Sequence, residues 1–390
     1  MVRYLLTTDD QLIFRDGRPF GESGVFGGNS LNWPFPQTLA GMVRTAVGFT
    51  RDPFYFENSK NADKILETGI ARILPMAKGS QGWESLMPVP GDLVLTRKKD
   101  DLSLTVNPLI FKKLEEGSGT DITNRNWLIP SVNLRDKPAK EIPFFFYWHF
   151  YDAYLKGEIK NEQHHSFEEM GISPPMEDLR VHNAIDANTF ATQESKLFSN
   201  AGFYLKSKNG DEMIDLAIGF DVLNATEDIS GDAWLGGERK RVVLNKTDLP
   251  VPTCPDYFKN RNYLKLILTT HGDFGGWAPQ WLKPDLDSKS IDWVKFPGTD
   301  FEIRLCSACV NGWDGVSGWD YKNMKPKKMK KLVRPGSVFV IEVKNPGESE
   351  KIAGHFWGNC LDPDNLDARN NGYGQCIVGN AIVEDNQGEI

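Results

Sequence analysis

Residues 3–8 read RYLLTT, and after a glycine-rich stretch from Gly21 to Asn32 the chain continues at residues 33–49 with WPFPQTLAGMVRTAVGF. The first segment predicts a strand, and the two prolines of WPFP end any regular structure before the helix predicted from residue 37. The apolar side chains of that helix recur on one face: Leu39, Met42, Val43, Ala46 and Val47. Thr38 is placed to cap it. This order of strand, glycine-rich loop and helix predicts an α+β fold.

The second half of the chain repeats the opening order. Residues 263–270 predict a strand, and a glycine-rich loop at 272–276 follows it. Residues 245–255 contain three prolines and predict a linker between the halves. Two further strands are predicted at 337–343 and 375–383. We therefore expect two α+β halves, each of which opens with a strand and a glycine-rich loop.

The part between about residues 50 and 175 interrupts this pattern. It is rich in proline and predicts irregular structure, inserted into the first half. It also carries an aromatic run at residues 144–151. Alternating segments then predict strands at 179–186, 202–205 and 215–222.

Composition narrows the class of protein. The 390 residues are 40% hydrophobic, enough for a sizeable core, and no apolar run reaches the roughly 18 residues of a membrane span. Asp9 and Asp10 follow the start too closely for a signal peptide, so a cytoplasmic protein without membrane contact is expected. The net charge of −8 argues against a protein that coats duplex DNA, but it permits a local basic groove and protein partners.

The cysteines, histidines and acids form no recognisable catalytic or metal pattern. The five cysteines are odd in number and scattered, and Cys306 and Cys309 form a lone CxxC, so free thiols are predicted. No HExxH, zinc-deaminase, P-loop or calcium-loop spacing occurs. We predict no catalytic residues, no metal and no cofactor.

Five glycine-rich loops are the main candidates for ligand binding, at residues 24–30, 235–241, 272–277, 312–319 and 370–375. Glycine lets the backbone approach a ligand, and successive N–H groups then point at a phosphate. An ordinary turn explains any single loop more simply. The second loop is the exception, because two glycines precede three cations: Gly236, Gly237, Arg239, Lys240 and Arg241.

A lysine-rich run from Lys322 to Arg334 holds seven cations and no acid. Such a run can track RNA or the acidic face of a partner, and a solvated mobile loop explains it equally well. These alternatives stay open at the level of sequence.

The order of several motifs resembles a known family. The motifs are PFPQTLAGMVR at 34–44, RVHNAID at 180–186, LGGERK at 235–240 and a Gly-x-Gly loop before the last strand. Together they are similar to the RAMP superfamily and, within it, to the third subunit of the Cmr (type III-B) CRISPR effector complex. The resemblance covers nearly the whole chain.

The resemblance implies two ferredoxin-like (RRM-related) domains, one at residues 1–250 with the insertion at about 50–175 and one at 251–390. It implies a non-catalytic, RNA-binding subunit that holds the repeat-derived 5′ tag of the guide RNA (crRNA) in antiviral defence. The implied partners are the large polymerase-like Cmr subunit and the backbone RAMP subunits. An alternative within the same superfamily is the equivalent subunit of a sister type III system.

Site residues follow from the same resemblance. Arg44 and the loop from Gly236 to Arg241 are the matching RNA-facing candidates, and Gly372 and Gly374 match the superfamily's glycine-rich loop. Arg180 and His182 match its Arg-x-His strand. The first glycine-rich loop adds Gly27, Gly28 and Asn29 as candidate RNA-binding residues.

An enzymatic alternative is a metal-independent RAMP endoribonuclease that processes precursor CRISPR RNA. In that case His182 would deprotonate a ribose 2′-OH, with nearby cations stabilising the phosphate.

Overall fold

The computed structural model describes residues 1–14, 27–28, 30–98, 103–114, 126–285, 292–320 and 325–384. Within these ranges the fold is mixed α/β, rich in strands and poor in helix. The α-helices are Pro36–Arg51, Ser59–Lys64, Trp148–Lys156, Phe167–Met170, Ser349–Phe356 and Leu366–Asn370. Short 3-10 turns are Tyr55–Glu57, Ile65–Glu67, Gly237–Arg239 and Pro346–Glu348. No helix in the described ranges combines the length and apolar character that crossing a membrane requires.

A large antiparallel sheet organises the first half of the chain. Strand Val2–Thr7 lies at its centre, with Tyr4 opposite Phe220 on one side and Lys246 on the other. From edge to edge the strands are Gly171–Ile172, Phe145–Tyr147, Gly82–Pro88, Gly69–Gly79, Glu212–Leu223, Val2–Thr7, Lys240–Lys246 and Gly231–Leu235. Strand Lys206–Asn209 also pairs with Glu212–Leu223.

The predicted first helix is confirmed as Pro36–Arg51. It begins at a proline, which suits the first helical turn because the N–H that proline lacks would find no helical partner there. The predicted cap is wrong: the N-cap residue is Phe35, and no side chain caps the helix. The helix packs its apolar face, including Leu39 and Val43, into one core cluster with Tyr4 of the central strand.

A second antiparallel sheet organises the C-terminal half, and it contains all three strands predicted there. Its order is Val294–Lys295, Glu302–Cys309, Val338–Val343, Tyr263–Leu268 and Cys376–Asn380. Helix Ser349–Phe356 packs on this sheet through Ile352, Ala353 and Phe356.

The prediction of irregular structure between residues 50 and 175 is wrong. Gly69–Gly79 and Gly82–Pro88 are full members of the large sheet. Proline obscured the strand pattern. Pro75 lies opposite Ile218 on one side of its strand. On the other side, pairing with Gly82–Pro88 begins only at Met76, so the missing N–H of Pro75 costs no hydrogen bond there. Smaller sheets are formed by Leu93–Thr96, Leu104–Pro108 and Gln163–His165, and by Ile110–Lys113, Leu128–Ser131 and Val383–Glu384.

The middle part of the chain fills the core between the two halves. One continuous hydrophobic cluster joins the large sheet, the aromatic run and the second sheet, with members that include Leu5, Met76, Phe146, Tyr151, Ile267 and Val340. A buried ion pair, Lys265 Nζ to Asp92 Oδ2 at 3.0 Å, crosses the same boundary. The segment is therefore shared core, not an appendage.

Three small paired elements complete the described fold. The hairpin of Glu177–Ile185 and Thr192–Phe203 pairs with Gly27–Gly28. Two short pairs lie near the C-terminal half: Trp313–Val316 with Lys330–Val333, and Trp319–Asp320 with Lys325–Pro326.

Candidate nucleic-acid interface

The structure divides the candidate residues into two groups. One group surrounds the hairpin of residues 177–203 and comprises Gly27, Gly28, Arg180, His182, Gly236, Gly237, Arg239, Lys240 and Arg241. The other lies where the two halves of the chain meet and comprises Arg44, Gly372 and Gly374. Asn29 lies outside the described residues.

The hairpin brings Gly27 and Gly28 into the same small sheet as the Arg-x-His strand. Gly27–Gly28 adds a third, parallel strand, with Gly28 opposite Asn200. Asn200 in turn lies opposite Arg180. Three residues that are far apart in the sequence therefore form one row across a small sheet. His182 lies two pairs further along, opposite Phe198.

Apolar side chains on the hairpin are left uncovered. Leu179 and Val181 share one face and are 66% and 60% exposed, and Phe190 near the turn is 83% exposed. Arg180 alternates with them and is held in place: its Nε donates to Asp178 Oδ2 at 2.9 Å and its Nη2 to Tyr204 Oη at 2.6 Å. The hairpin therefore carries exposed apolar side chains on one face and a positioned guanidinium on the other.

The loop from Gly236 to Arg241, hereafter the glycine–cation loop, has a constrained backbone. Gly236 has φ of +74°, and a Cβ there would lie 2.6 Å from the carbonyl oxygen of Ile13. The N–H of Gly237 donates to the same oxygen at 2.8 Å. Glu238 and Arg239 also have left-handed φ values of 58° and 48°. Such a run in non-glycine residues is uncommon and indicates a conformation imposed by its surroundings.

One hydrogen bond joins this loop to the hairpin: Asn200 Nδ2 donates to Glu238 Oε1 at 2.9 Å. Asn200 also lies in the row with Arg180 and Gly28. Sequence reasoning missed Asn200, because nothing in its local pattern distinguishes it from other polar residues of a strand.

The three cations of the loop differ in availability. Lys240 Nζ lies 3.3 Å from Glu238 Oε2, and Arg241 Nη2 lies 2.8 Å from Asp232 Oδ1. The hydrogen bond to Asp232 raises the pKa of Arg241. Arg239 is exposed, and within the described ranges its guanidinium has neither an ion pair nor a hydrogen bond. It is therefore the cation of this loop most available to a phosphate.

A cleft of about 340 Å³ opens beside the glycine–cation loop. Arg241 lines it together with Lys78, Trp83 and Lys206, and Asp9, Asp10 and Asp215 also face it. Lys78, Trp83, Lys206 and Arg241 lie near the ends of four different strands of the large sheet. Their grouping had no signal in the sequence.

Arg44 belongs to the second group and is engaged within the chain. Its Nε donates to Thr68 O at 2.9 Å, its Nη1 to Asn371 Oδ1 at 2.8 Å and its Nη2 to Asn370 O at 3.3 Å. Burial lowers the pKa of Arg44. The side chain thus ties the first helix to the C-terminal glycine-rich loop.

The C-terminal glycine-rich loop is itself buried. Gly372 has φ of +79°, and a Cβ there would lie 2.6 Å from Ile73 Cδ1. The N–H of Gly374 donates to His271 O at 2.7 Å. This geometry gives Arg44, Gly372 and Gly374 a packing role, and their contact with RNA stays a prediction.

The chain was compared with solved structures and with curated proteins. Two solved structures are similar over 95% of the chain and 94% and 95% of their own, with TM-scores of 0.46 and 0.45 and identities of 16% and 17%; both are described as type III-B Cmr-beta bound to cognate target RNA, the first also with AMPPnP. A Csm3–Csm4 subcomplex of a type III-A CRISPR-Cas interference complex matches at a TM-score of 0.33 and 12% identity, covering 89% and 94% of the two chains. No curated protein matches the chain.

The decisive comparison is with a family model. The model described as CRISPR-associated protein (Cas_Cmr3) matches residues 4–381, which is nearly the whole chain. The chain therefore belongs to the Cas_Cmr3 family of CRISPR-associated proteins.

Proposed function

We propose that this chain is a non-catalytic RNA-binding subunit of a type III-B CRISPR (Cmr) effector complex, and that it holds the repeat-derived 5′ tag of the crRNA. Membership of the Cas_Cmr3 family supports the assignment to such a complex. One observation carries the RNA role: the Asn200–Glu238 hydrogen bond unites the hairpin of residues 177–203 with the glycine–cation loop. RNA binds on the surface that these two elements form.

The chemistry of this surface suits single-stranded RNA. Arg239 supplies an exposed guanidinium for a phosphate. Arg180 on the hairpin is held in orientation by Asp178 and Tyr204. Phe190 near the hairpin turn is 83% exposed and offers an aromatic face to an unstacked base. The net charge of −8 limits the contact to this local region, because the chain as a whole repels a polyanion.

Two ferredoxin-like domains, at residues 1–250 and 251–390, form part of the proposal, and strand order supports them. In the first half the order is Lys240–Lys246, Val2–Thr7, Glu212–Leu223 and Gly69–Gly79. In the second it is Cys376–Asn380, Tyr263–Leu268, Val338–Val343 and Glu302–Cys309. Numbered along the chain within each half, both orders read 4-1-3-2. The first half keeps the helix after its first strand, and the second keeps the helix before its last.

We propose that the subunit bridges the large polymerase-like Cmr subunit and the backbone RAMP subunits. An exposed apolar patch at the end of the first helix supports protein contact. Phe49, Phe54, Phe56 and Leu66 are all exposed there, and the rings of Phe49 and Phe56 are 5.4 Å apart. Patches of this kind on a polar surface are typical of interfaces.

The test of RNA binding begins with Arg239→Ala in the full chain. Loss of one charge-assisted hydrogen bond should weaken binding to an RNA carrying the 5′ tag about tenfold. Replacing Arg239, Lys240 and Arg241 together should weaken it further and impair assembly of the complex, with an unchanged melting temperature. Arg261→Ala, which removes an exposed arginine from the other half, is the matched control. Normal affinity and guide retention in the triple variant would overturn the assignment of this loop.

The same proteins test the absence of nuclease activity. Wild-type protein incubated with repeat RNA in EDTA should leave the RNA intact. Cleavage that disappears in His182→Ala would instead establish the endoribonuclease alternative.

A further inference from the structure

The lysine-rich run near the C-terminal half is built into a paired element. Strand Trp313–Val316 pairs with Lys330–Val333, which sets Trp313 opposite Val333 and Gly315 opposite Lys331. Between them the N–H of Lys327 donates to Gly318 O at 2.8 Å, and its carbonyl accepts from Ser317 Oγ at 3.1 Å. We call residues 313–316 and 325–334 the basic ribbon. These hydrogen bonds give the ribbon a defined backbone structure. A mobile loop was one of the alternatives that the sequence allowed.

The cations of the basic ribbon have two distinct roles. Lys330 pairs with Asp273 at 2.7 Å and so anchors the ribbon to the rest of the second half. Arg334 pairs with Asp314 at 2.7 Å inside the ribbon. Four others are exposed and form no ion pair or side-chain hydrogen bond with any described residue: Lys325, Lys327, Lys328 and Lys331. The ribbon therefore presents a cluster of exposed positive charge on a protein of net charge −8.

An aromatic side chain lies within this charge cluster. Trp313 is 55% exposed, and Lys331 Nζ lies 4.6 Å from the centroid of its ring. An exposed tryptophan face among lysines is the combination that holds unpaired bases and their phosphates in single-stranded nucleic-acid sites. An acidic protein segment would use the lysines but would gain little from the indole ring.

The ribbon is also connected to the proposed RNA surface. Its buried residues Val316 and Leu332 pack with Phe35, and Leu31 packs against both this cluster and the core of the first half. The N–H of Leu31 donates to Phe14 O at 2.7 Å. A Cβ added to Gly236 would lie only 2.9 Å from Cε1 of the Phe14 ring. A few packed residues thus separate the basic ribbon from the glycine–cation loop.

We propose that the basic ribbon is a second contact site for single-stranded RNA, separate from the tag-binding surface. Lys327, Lys328 and Lys331 bind phosphates, and the ring of Trp313 stacks on a base. The contact is independent of base sequence, because a tryptophan face and ammonium groups do not read base edges. It extends the path of RNA beyond the residues that hold the tag.

The test measures binding of the full chain to an oligouridylate of about 12 nucleotides, which lacks the tag, by fluorescence anisotropy over a range of salt concentrations. Replacing Lys327, Lys328 and Lys331 with Gln should reduce the slope of log affinity against log salt by about 2, since each phosphate contact on a single strand contributes about 0.7. Trp313→Ala should weaken binding about tenfold. The matched control replaces Lys60, Lys64 and Lys351, which are also exposed, with Gln.

Each outcome decides the proposal. An equal loss in the control would reduce the effect to overall charge and overturn the site. Tight binding of polyglutamate that is insensitive to Trp313→Ala would identify an acidic protein partner and also overturn it. If Arg239→Ala weakens tag binding while the ribbon variants bind oligouridylate normally, the ribbon proposal fails and the proposed function stands. Loss only in the ribbon variants supports the ribbon alone.

Discussion

Gly236 shows how a single backbone conformation shapes the proposed RNA surface. Its positive φ turns the chain between strand Gly231–Leu235 and the cations that follow, and its missing side chain leaves room for the Ile13 carbonyl and the Phe14 ring. A side chain at this position would meet both the steric cost of positive φ and a backbone atom that cannot move aside. Glycine is therefore required here on geometric grounds alone.

Gly236→Ala should lower the free energy of unfolding by about 2 kcal/mol, because it adds left-handed strain to a clash with Ile13 O. Urea denaturation measures the change. Gly276→Ala is the control: its φ is not positive, and no atom lies within 4 Å of the added Cβ. Equal stability of the two variants would contradict the geometry of the glycine–cation loop.

At the scale of elements, Asp314 anchors the basic ribbon to the rest of the second half. Its Oδ2 lies 3.1 Å from His271 Nε2, and its Oδ1 accepts from Arg334. Burial alone would raise the pKa of the Asp314 carboxyl, but the hydrogen bonds from His271 and Arg334 outweigh it and lower the pKa to about 2. The carboxylate form is therefore the one that holds the ribbon.

This lowered pKa predicts an acid-sensitive contribution to stability. The folded-state pKa lies below the unfolded value of about 3.9, so the contribution is complete above pH 4 and is lost as pH falls towards 2. We expect roughly 1 kcal/mol, since solvent partly screens this partly exposed group. Thermal unfolding of wild type and Asp314→Asn from pH 5 to pH 2 should show a gap in stability that narrows with acid. A gap that stays constant with pH would refute the ion-pair role.

For the whole molecule, the buried pair of Lys265 and Asp92 joins the second sheet to the middle part of the chain. Lys265 Nζ also lies 3.5 Å above the ring of Tyr154, and the Tyr154 hydroxyl donates to Asp92. Burial lowers the pKa of Lys265, and Asp92 opposes that shift. Removing either partner would leave the other charge buried without compensation.

Lys265→Met and Asp92→Asn should each reduce stability by about 3 kcal/mol. The double variant should lose less than the sum, with a coupling free energy on the order of 2 kcal/mol from a double-mutant cycle in urea. The exposed pair Lys295 and Asp300, 2.9 Å apart, is the matched control and should show no measurable coupling. Additive effects at Lys265 and Asp92 would mean that the pair does not join the halves.

Local pattern by itself determined the first helix and five strands of the two sheets: Val2–Thr7, Glu212–Leu223, Tyr263–Leu268, Val338–Val343 and Cys376–Asn380. It did not identify Gly231–Leu235, Lys240–Lys246 or Glu302–Cys309 as strands. Apolar spacing within a few residues dictates which face of a helix or strand is buried, so these elements were predicted from the sequence. The strands within residues 50–175 were not, because Pro75 and its neighbours break the alternation that a strand normally shows.

Only the tertiary structure decided which glycine-rich loop stays open to a ligand. The loops at 236–241 and 370–375 are both glycine-rich, yet the first lies beside an exposed hairpin and the second is buried against Ile73. The same holds for Arg44 and Arg239: one donates to Asn371, 327 residues away, and the other remains exposed. Burial and hydrogen-bond partners come from residues distant in the chain, and these partners separate a packing arginine from one available to RNA.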